Sequence, residues 1–212
     1  MAFYAVSKGR SIGIFDSWTE CKESIIGYKN ALYKKFKTKE EAEQFIQVDT
    51  TPDSFHPDYY VYTDGACSNN GKDNAQAGIG IFFGTDDPRN VSKRITGKQT
   101  NNMAELSAII ETYAIIEPDL KQGKQIAIVS DSEYAIKCVT TYGETCSKNG
   151  WNKAIPNKET VKLVYELYKD QPIRFIHVKA HTKETDIHSL GNHQADLLAN
   201  QAIGLDTCPY TK

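Results

Sequence analysis

Four carboxylates in this chain stand where their type and spacing could do chemistry. Asp64 falls at the end of a β-prone run, Tyr59 to Thr63, with Gly65 behind it to let the backbone turn sharply, and Asp131 follows a second such run, Ile126 to Val129. Side chains at the C-terminal ends of strands in an open α/β sheet border the crevice where ligands sit. Glu105 and Asp196 fall on helical patterns instead: Glu105 in a first turn beside Leu106, Asp196 beside Leu197 and Leu198, each at the edge of a buried face. Singly, each has a local explanation, since Asp after a strand caps a turn and Glu in a first helical turn complements the helix dipole. Asp196 fits that explanation least, because mid-helix Asp is a poor helix former with nothing to cap. Brought to one face, the four would repel each other and need cations to offset the charge. Hard oxygen donors without a neighbouring Cys or His favour Mg²⁺ or Mn²⁺ over zinc. Two such ions ~3.5–4 Å apart can activate a water and stabilise a leaving oxygen in phosphodiester hydrolysis.

The elements that must position them can be read from periodicity. Runs near 77–83 and 90–97 follow the first strand after a Gly- and Asn-rich turn, and Met103, Leu106, Ile109, Ile110, Tyr113 and Ile116 then keep the spacing of an amphipathic helix that Pro118 is expected to end. Further helices are predicted over Ser132 to Val139, Glu159 to Tyr168 and Asn192 to Ile203, with a fifth strand over Ile173 to Val178. Three strands followed by alternating helices and strands predict a mixed five-stranded α/β sheet flanked by helices.

The chain has 212 residues, 40% of them hydrophobic and 25% charged, close to globular averages, which sets aside disordered, collagenous and coiled-coil classes. Its five cysteines are odd in number and lack a C-x-x-C, against a disulfide scaffold or a zinc site. No apolar run reaches the ~20 residues of a membrane span and no leader sequence is visible, so a cytoplasmic protein with no membrane partner is expected. The net charge of -2 is uneven: six lysines and one glutamate lie between Lys22 and Lys39. That stretch belongs to a predicted small α+β module at 1–47, in the order ββαβα. Phe3 to Val6 and Ser11 to Phe15 form its first two strands, capping boxes at Ser17 and Thr38 start its helices, and Tyr33 to Phe36 gives the third strand. Residues 48–57, polar with two prolines, are expected to link it to a domain over 58–205, with 206–212 as a frayed tail.

Taken in order, Tyr62-Thr63-Asp64-Gly65, Thr100-Asn101-Asn102-Met103-Ala104-Glu105, Ser130-Asp131-Ser132, Val178-Lys179-Ala180-His181 and Asn192-His193-Gln194-Ala195-Asp196 resemble the motifs of type 1 ribonuclease H. The intervals between the carboxylates, 41, 26 and 65 positions, suit that family with an enlarged final loop. Residues 1–47 are similar to the hybrid-binding domain attached to many cellular members. The resemblance implies that Asp64, Glu105, Asp131 and Asp196 hold two Mg²⁺ ions, with Mn²⁺ as a substitute, and that the RNA strand of an RNA–DNA hybrid is cut to 3′-hydroxyl and 5′-phosphate ends. It makes His181 a mobile histidine assisting proton transfer or release. Fifteen positions separate His181 from Asp196, where about ten are frequent in the family.

By the same resemblance, Cys67, Asn69, Asn70, Asn101 and Asn102 read the RNA, as short polar groups able to reach the 2′-hydroxyls of a minor groove. Lys98, Thr100 and Asn157 match a pocket for a DNA phosphate, and Tyr134 and Tyr142 match a channel for the DNA strand, Tyr142 standing where a tryptophan is common. Lys148 to Lys153 resembles a basic protrusion of cellular members. In the N-terminal module, Tyr4, Trp18 and Tyr33 interleave with Lys34 and Lys35, stacking surface beside phosphate-neutralising charge, although Trp18 could equally serve a core. Leu32 stands where an arginine is frequent. The implied partner is an RNA–DNA hybrid, with double-stranded RNA as a further ligand of this module, and the protein is expected to be a monomer. Two other activities are compatible with parts of the pattern: a hybrid-binding protein with an impaired catalytic site, and a two-metal nuclease or integrase acting on DNA alone. The four intact carboxylates weigh against the first, the N-terminal module and the Asn-rich turns against the second. The same module, in place of a polymerase-like segment, points away from a fragment of a reverse transcriptase.

Overall fold

The computed structural model describes residues 3–28, 31–50, 55, 57–180 and 186–205, with the helical backbone alone at 44 and 47–50. The chain divides into two units, Met1–Phe55 and His56–Lys212.

The first unit is a three-stranded antiparallel sheet, order β2-β1-β3, built from β1 (Phe3–Lys8), β2 (Gly13–Phe15) and β3 (Leu32–Phe36) and packed by α1 (Trp18–Ile25) and α2 (Lys39–Thr50). Both capping residues act as the sequence suggests. Ser17 Oγ accepts the Glu20 N–H and donates to the Glu20 carboxylate, and Thr38 Oγ1 accepts the Glu41 N–H. The described core residues are small, Ala5, Val6, Cys21 and Ala42, so the helices lie close to the sheet over little apolar volume. Helix α2 runs to Thr50, so the first residues of the expected 48–57 linker continue a helix; residues 51–54 and 56, and the tail at 206–212, lie outside the described residues.

The second unit is a mixed sheet in the order β6-β5-β4-β7-β8. Strands β4 (Tyr59–Ser68), β5 (Gln76–Phe82) and β6 (Val91–Arg94) form an antiparallel meander, while β7 (Ile126–Ser130) and β8 (Ile173–His177) add in parallel on the other side of β4. Helix α3 (Asn101–Lys121) packs against β4 and β5, as does α7 (Ile187–Ala202), and the smaller helices α4 (Glu133–Val139), α5 (Thr141–Lys148) and α6 (Lys158–Tyr168) lie in the connections. The main core is Val61, Ile79, Ile81, Leu106, Ile109, Ile116, Ile126, Ile128, Val161 and Val164. Each such side chain contributes about 1.5–3 kcal/mol by leaving water. Among the described residues no helix is long and apolar enough to cross a membrane.

Four elements differ from the sequence reading, three for a tertiary reason and one for a local cap. Strand β4 does not stop at Asp64 but continues to Ser68, and Gly65 makes no turn there. A Cβ on Gly65 would collide with the Glu105 amide nitrogen and come within 2.7 Å of the Ala104 carbonyl carbon, so this glycine lets the start of α3 rest on the strand. Helix α3 passes through Pro118 for one more turn. The proline removes one backbone bond, whereas that turn places Leu120 in the core and lets Asp119 accept from the Tyr59 hydroxyl at 2.6 Å and Lys124 Nζ at 2.7 Å. Helix α5 carries only Tyr142 and Cys146 as an i, i+4 pair, too short a pattern to announce it, and forms where Gly143 packs beneath Tyr165. Helix α7 starts at Ile187 rather than Asn192, because Asp186 caps it by accepting the N–H groups of His188 and Ser189. The enlarged loop is therefore partly an extra helical turn, held to the sheet by Tyr62 Oη with His188 Nδ1 at 3.3 Å and by the Tyr60 ring against the His188 ring.

Candidate active site

Asp64 pairs with Gly80 across the β4–β5 ladder. A Cβ on Gly80 would strike the Ala195 carbonyl oxygen and lie 2.6 Å from the Ala199 nitrogen, so the helix carrying Asp196 rests on the strand backbone beside Asp64. Glu105 arrives from the opposite helix. Its helix begins at Asn101, with Thr100 Oγ1 accepting the Met103 N–H, so Glu105 belongs to the second turn and the helix-dipole explanation for it weakens. Asp131 leaves the end of β7, at a turn where Ser132 N–H donates to Ser130 Oγ and Ser132 Oγ caps α4.

These elements bring one oxygen each of Asp64, Glu105 and Asp131 within 4.8 Å of one another. Asp64, Glu105 and Asp196 are only 7%, 5% and 6% exposed. Burial, then the charges of Asp131 and Asp196, hold the Asp64 carboxyl well above the usual carboxylate range, against the pull of the Gly65 N–H. Burial and the charges of Asp64 and Asp131 do the same to Glu105. The cluster opens into a cavity of about 790 Å³ among whose described lining residues there is no lysine or arginine. Asp196 Oδ2 and Asn192 Oδ1 are buried without a hydrogen-bond partner. Buried acids crowded together, an orphaned carboxylate oxygen and an all-oxygen donor set together fit a hard divalent cation.

Three neighbours that the sequence reading did not single out hold this cluster in place. Asn192 Nδ2 donates to Asp131 Oδ2 at 3.0 Å, Asn200 Nδ2 donates to Asp196 Oδ1 at 2.7 Å, and His177 Nε2 lies 3.2 Å from the Asp131 carbonyl oxygen. Asn192, Asp196 and Asn200 are four residues apart, a spacing that would mark one buried face once the helix was known to extend through all three.

Cys67, Asn69, Asn70, Asn101 and Asn102 all line the cavity. Asn69 sits in the left-handed region at φ 50°, a conformation asparagine tolerates, and Asn70 Oδ1 accepts the Asn101 N–H at 3.3 Å with Cys67 Sγ at 3.8 Å. Lys98 Nζ donates to Asn157 Oδ1 at 3.0 Å, and Asn157 Nδ2 donates to Tyr134 Oη at 3.4 Å. Asn157 therefore precedes α6 without its side chain capping it, whereas Thr100 spends its hydroxyl on the α3 cap. Tyr134 and Tyr142 border a second hollow of about 220 Å³ with Lys137, Cys138 and Pro156. His181 lies outside the described residues.

On the first unit, Trp18 stands between Tyr4 and Tyr33, with ring centroids 5.7 Å from each. Trp18 is 43% and Tyr33 46% exposed, so the tryptophan belongs to a surface and not to the core. Lys35 Nζ lies 5.6 Å from the Tyr4 ring, which keeps cationic charge beside the aromatic row, whereas Lys34 Nζ lies 5.5 Å from the Phe36 ring, on the alternate side of β3.

Comparison with known proteins bears on both units. The RNase H family model matches residues 56–204, and a model described as the ribonuclease H1 N-terminal domain matches residues 2–46. Ribonuclease H1 of Mus musculus is 30% identical over 258 residues, covering 94% of this chain and 88% of its own. Ribonuclease H of Schizosaccharomyces pombe is 31% identical over 265 residues, covering 94% and 96%. Among solved structures, the PFV RNase H domain superposes with a TM-score of 0.52 at 26% identity, over 68% of this chain and 93% of that one.

Proposed function

The chain belongs to the RNase H family, and we propose that it is an endonuclease that hydrolyses the RNA strand of RNA–DNA hybrids to 3′-hydroxyl and 5′-phosphate ends, with two Mg²⁺ ions held by Asp64, Glu105, Asp131 and Asp196. The observation that carries the metal site is the convergence of three carboxylate oxygens within 4.8 Å in a cavity lined by no described lysine or arginine. When bound, the ions supply Lewis-acid activation of the attacking water and stabilisation of the leaving 3′ oxygen; Mn²⁺, which suits the same carboxylate and water ligands, is a substitute. The chain's own residues supply position. Gly65 N–H donates toward Asp64 and Glu105, and Asn192 holds Asp131 by one oxygen. His181 moves protons or assists product release.

The substrate is read on two sides. Cys67, Asn69, Asn70, Asn101 and Asn102 present short donors and acceptors to the 2′-hydroxyls of the RNA. Lys98, Thr100 and Asn157 take a phosphate of the DNA strand, and Tyr134 and Tyr142 pack on its sugars, the smaller Tyr142 ring giving a weaker contact than an indole. The aromatic row of Tyr4, Trp18 and Tyr33 with Lys34 and Lys35 binds hybrid, and double-stranded RNA, and raises the local substrate concentration for a monomeric, cytoplasmic enzyme.

The test is incubation of the protein with an end-labelled RNA–DNA hybrid, the matching RNA duplex and the matching DNA duplex, each with Mg²⁺, Mn²⁺ or EDTA. Internal cleavage of the RNA in the hybrid alone, abolished by EDTA, is expected. Binding of the hybrid without cleavage in either metal would instead make the chain a reader of hybrids.

A further inference from the structure

Helix α7 aligns three buried polar side chains, Asn192, Asp196 and Asn200, along one face. Asn192 reaches across to Asp131, but Asn200 turns back along its own helix. A single atom, Asn200 Nδ2, donates both to Asp196 Oδ1 at 2.7 Å and to the Asp196 carbonyl oxygen at 2.9 Å. The carboxylate is thereby fastened to the backbone of the helix that carries it, which fixes its rotamer. Asn200 is itself pinned: its carbonyl accepts the N–H groups of Ile203 at 3.1 Å and Leu205 at 3.0 Å where the helix ends. The second carboxylate oxygen, Asp196 Oδ2, is buried with no partner, and Asn200 lines the same cavity as the four acids.

The chemical type at position 200 matters as much as its geometry. A cationic side chain there could also donate to Asp196, but it would offset the negative charge of the cluster and compete with a divalent ion. Asparagine orients the carboxylate while leaving that charge intact. We propose that Asn200 is a positioning residue: by holding Oδ1 of Asp196 it presents Oδ2 to the cation, and so sets the concentration of divalent metal at which the enzyme works. This inference rests on the metal-dependent reading above.

The test uses the full chain stripped with EDTA, into which MgCl₂ or MnCl₂ alone is titrated by calorimetry and by the rise in melting temperature, with the metal dependence of hybrid cleavage measured in parallel. Asn200→Leu and Asn200→Ala remove the donor and are expected to weaken cation binding about tenfold, as loss of a residue that orients a metal ligand does. The half-saturating metal for cleavage shifts by the same factor, kcat recovers at saturating metal, and hybrid binding in EDTA is unchanged. Asn200→Gln can still donate to Asp at this spacing and is expected to stay within about twofold of the native protein. A purely structural role would lower the melting temperature in EDTA and leave the metal titration where it was. Should the Leu variant fail to fold, the Ala variant carries the comparison. Cation binding by both variants equal to that of the native chain, or a loss in Asn200→Gln as large as in Asn200→Leu, would overturn the inference. Failure of the native chain to bind either cation would overturn the metal reading beneath it.

Discussion

Replacing Asp64 by asparagine should separate stability from activity, and the structure sets the size of both effects. The oxygens of Asp64, Glu105 and Asp131 lie within 4.8 Å of one another, a separation at which two unit charges repel by about 3.5 kcal/mol at an effective dielectric constant of ~20. In the absence of metal, burial and neighbouring charge raise Asp64 and Glu105, so proton uptake offsets more of that repulsion as pH falls. Asp64→Asn removes the share of that repulsion that Asp64 carries, along with a buried charge and at the expense of little volume, so a net gain of about 2 kcal/mol is expected at pH 8 in EDTA. For a chain of this size that is a rise of about 4–8 °C in Tm. In Mg²⁺ the order should narrow or reverse, because the native protein gains by binding the ion and the variant has lost a ligand. Cleavage should fall at least about a thousandfold, corresponding to about 4 kcal/mol of lost transition-state stabilisation. Calorimetric melts with and without MgCl₂, beside a hybrid cleavage assay, measure all three quantities. A variant less stable than the native protein in EDTA, or one that cleaves at the native rate, would refute the account of the cluster as crowded, metal-seeking acids.

Four further outcomes are expected. A carboxyl whose folded pKa lies above its unfolded one binds more protons when folded, so the contribution of Asp64 and Glu105 to metal-free stability should be fully present below the ordinary carboxylate range and decline as pH rises through their raised values. Melting temperatures from pH 5 to 8 in EDTA should show that decline and saturating Mg²⁺ should flatten it; a flat profile in EDTA would contradict the assignment. Asp119→Asn weakens the anchor shared by Tyr59, Lys124 and Arg89, and should cost about 1–2 kcal/mol by chemical denaturation while leaving cleavage unchanged. Trp18→Ala should weaken hybrid binding by the ~1–3 kcal/mol of one lost stacking partner without lowering kcat, and Lys34→Ala with Lys35→Ala should make binding less sensitive to salt, both measurable by fluorescence anisotropy over a KCl series.

What could be read in advance follows from how local its cause is. Ser17 and Thr38 announce their helices because a cap depends on residues three positions away, and the strand before Asp131 declares itself by a short apolar run. The mixed five-stranded sheet follows from that level of reading, whereas the meeting of Asp64, Glu105 and Asp131 is implied by the resemblance of the ordered motifs to type 1 ribonuclease H. What escaped depends on distant partners. Gly65 looks like a turn until Ala104 is seen resting on it, and Pro118 looks like a stop until Leu120, Tyr59 and Lys124 are seen to hold one more turn. Asn192 and Asn200 were hidden for a related reason: an amide four residues from an acid means little until the helix carrying both is known to press against a sheet. Trp18 was ambiguous for the opposite reason, since a module this small offers little interior to tell a core indole from a surface one.

The contact of α7 with β5 at Gly80 has a consequence for how the site ages. At Gly80, the partner of Asp64 across the ladder, main-chain atoms of the strand touch main-chain atoms of the turn that carries Asp196, with no side chain between them. Substitutions elsewhere in the interior can drift and repack without altering that interval, because the gauge contains nothing that can be exchanged for a larger or smaller piece. The exception is one hydrogen atom: a methyl group in its place at position 80 would push the helix, and with it the fourth carboxylate, off the sheet. Tolerance over most of the core and intolerance at the glycines where a helix rests on a strand are thus two results of the same construction.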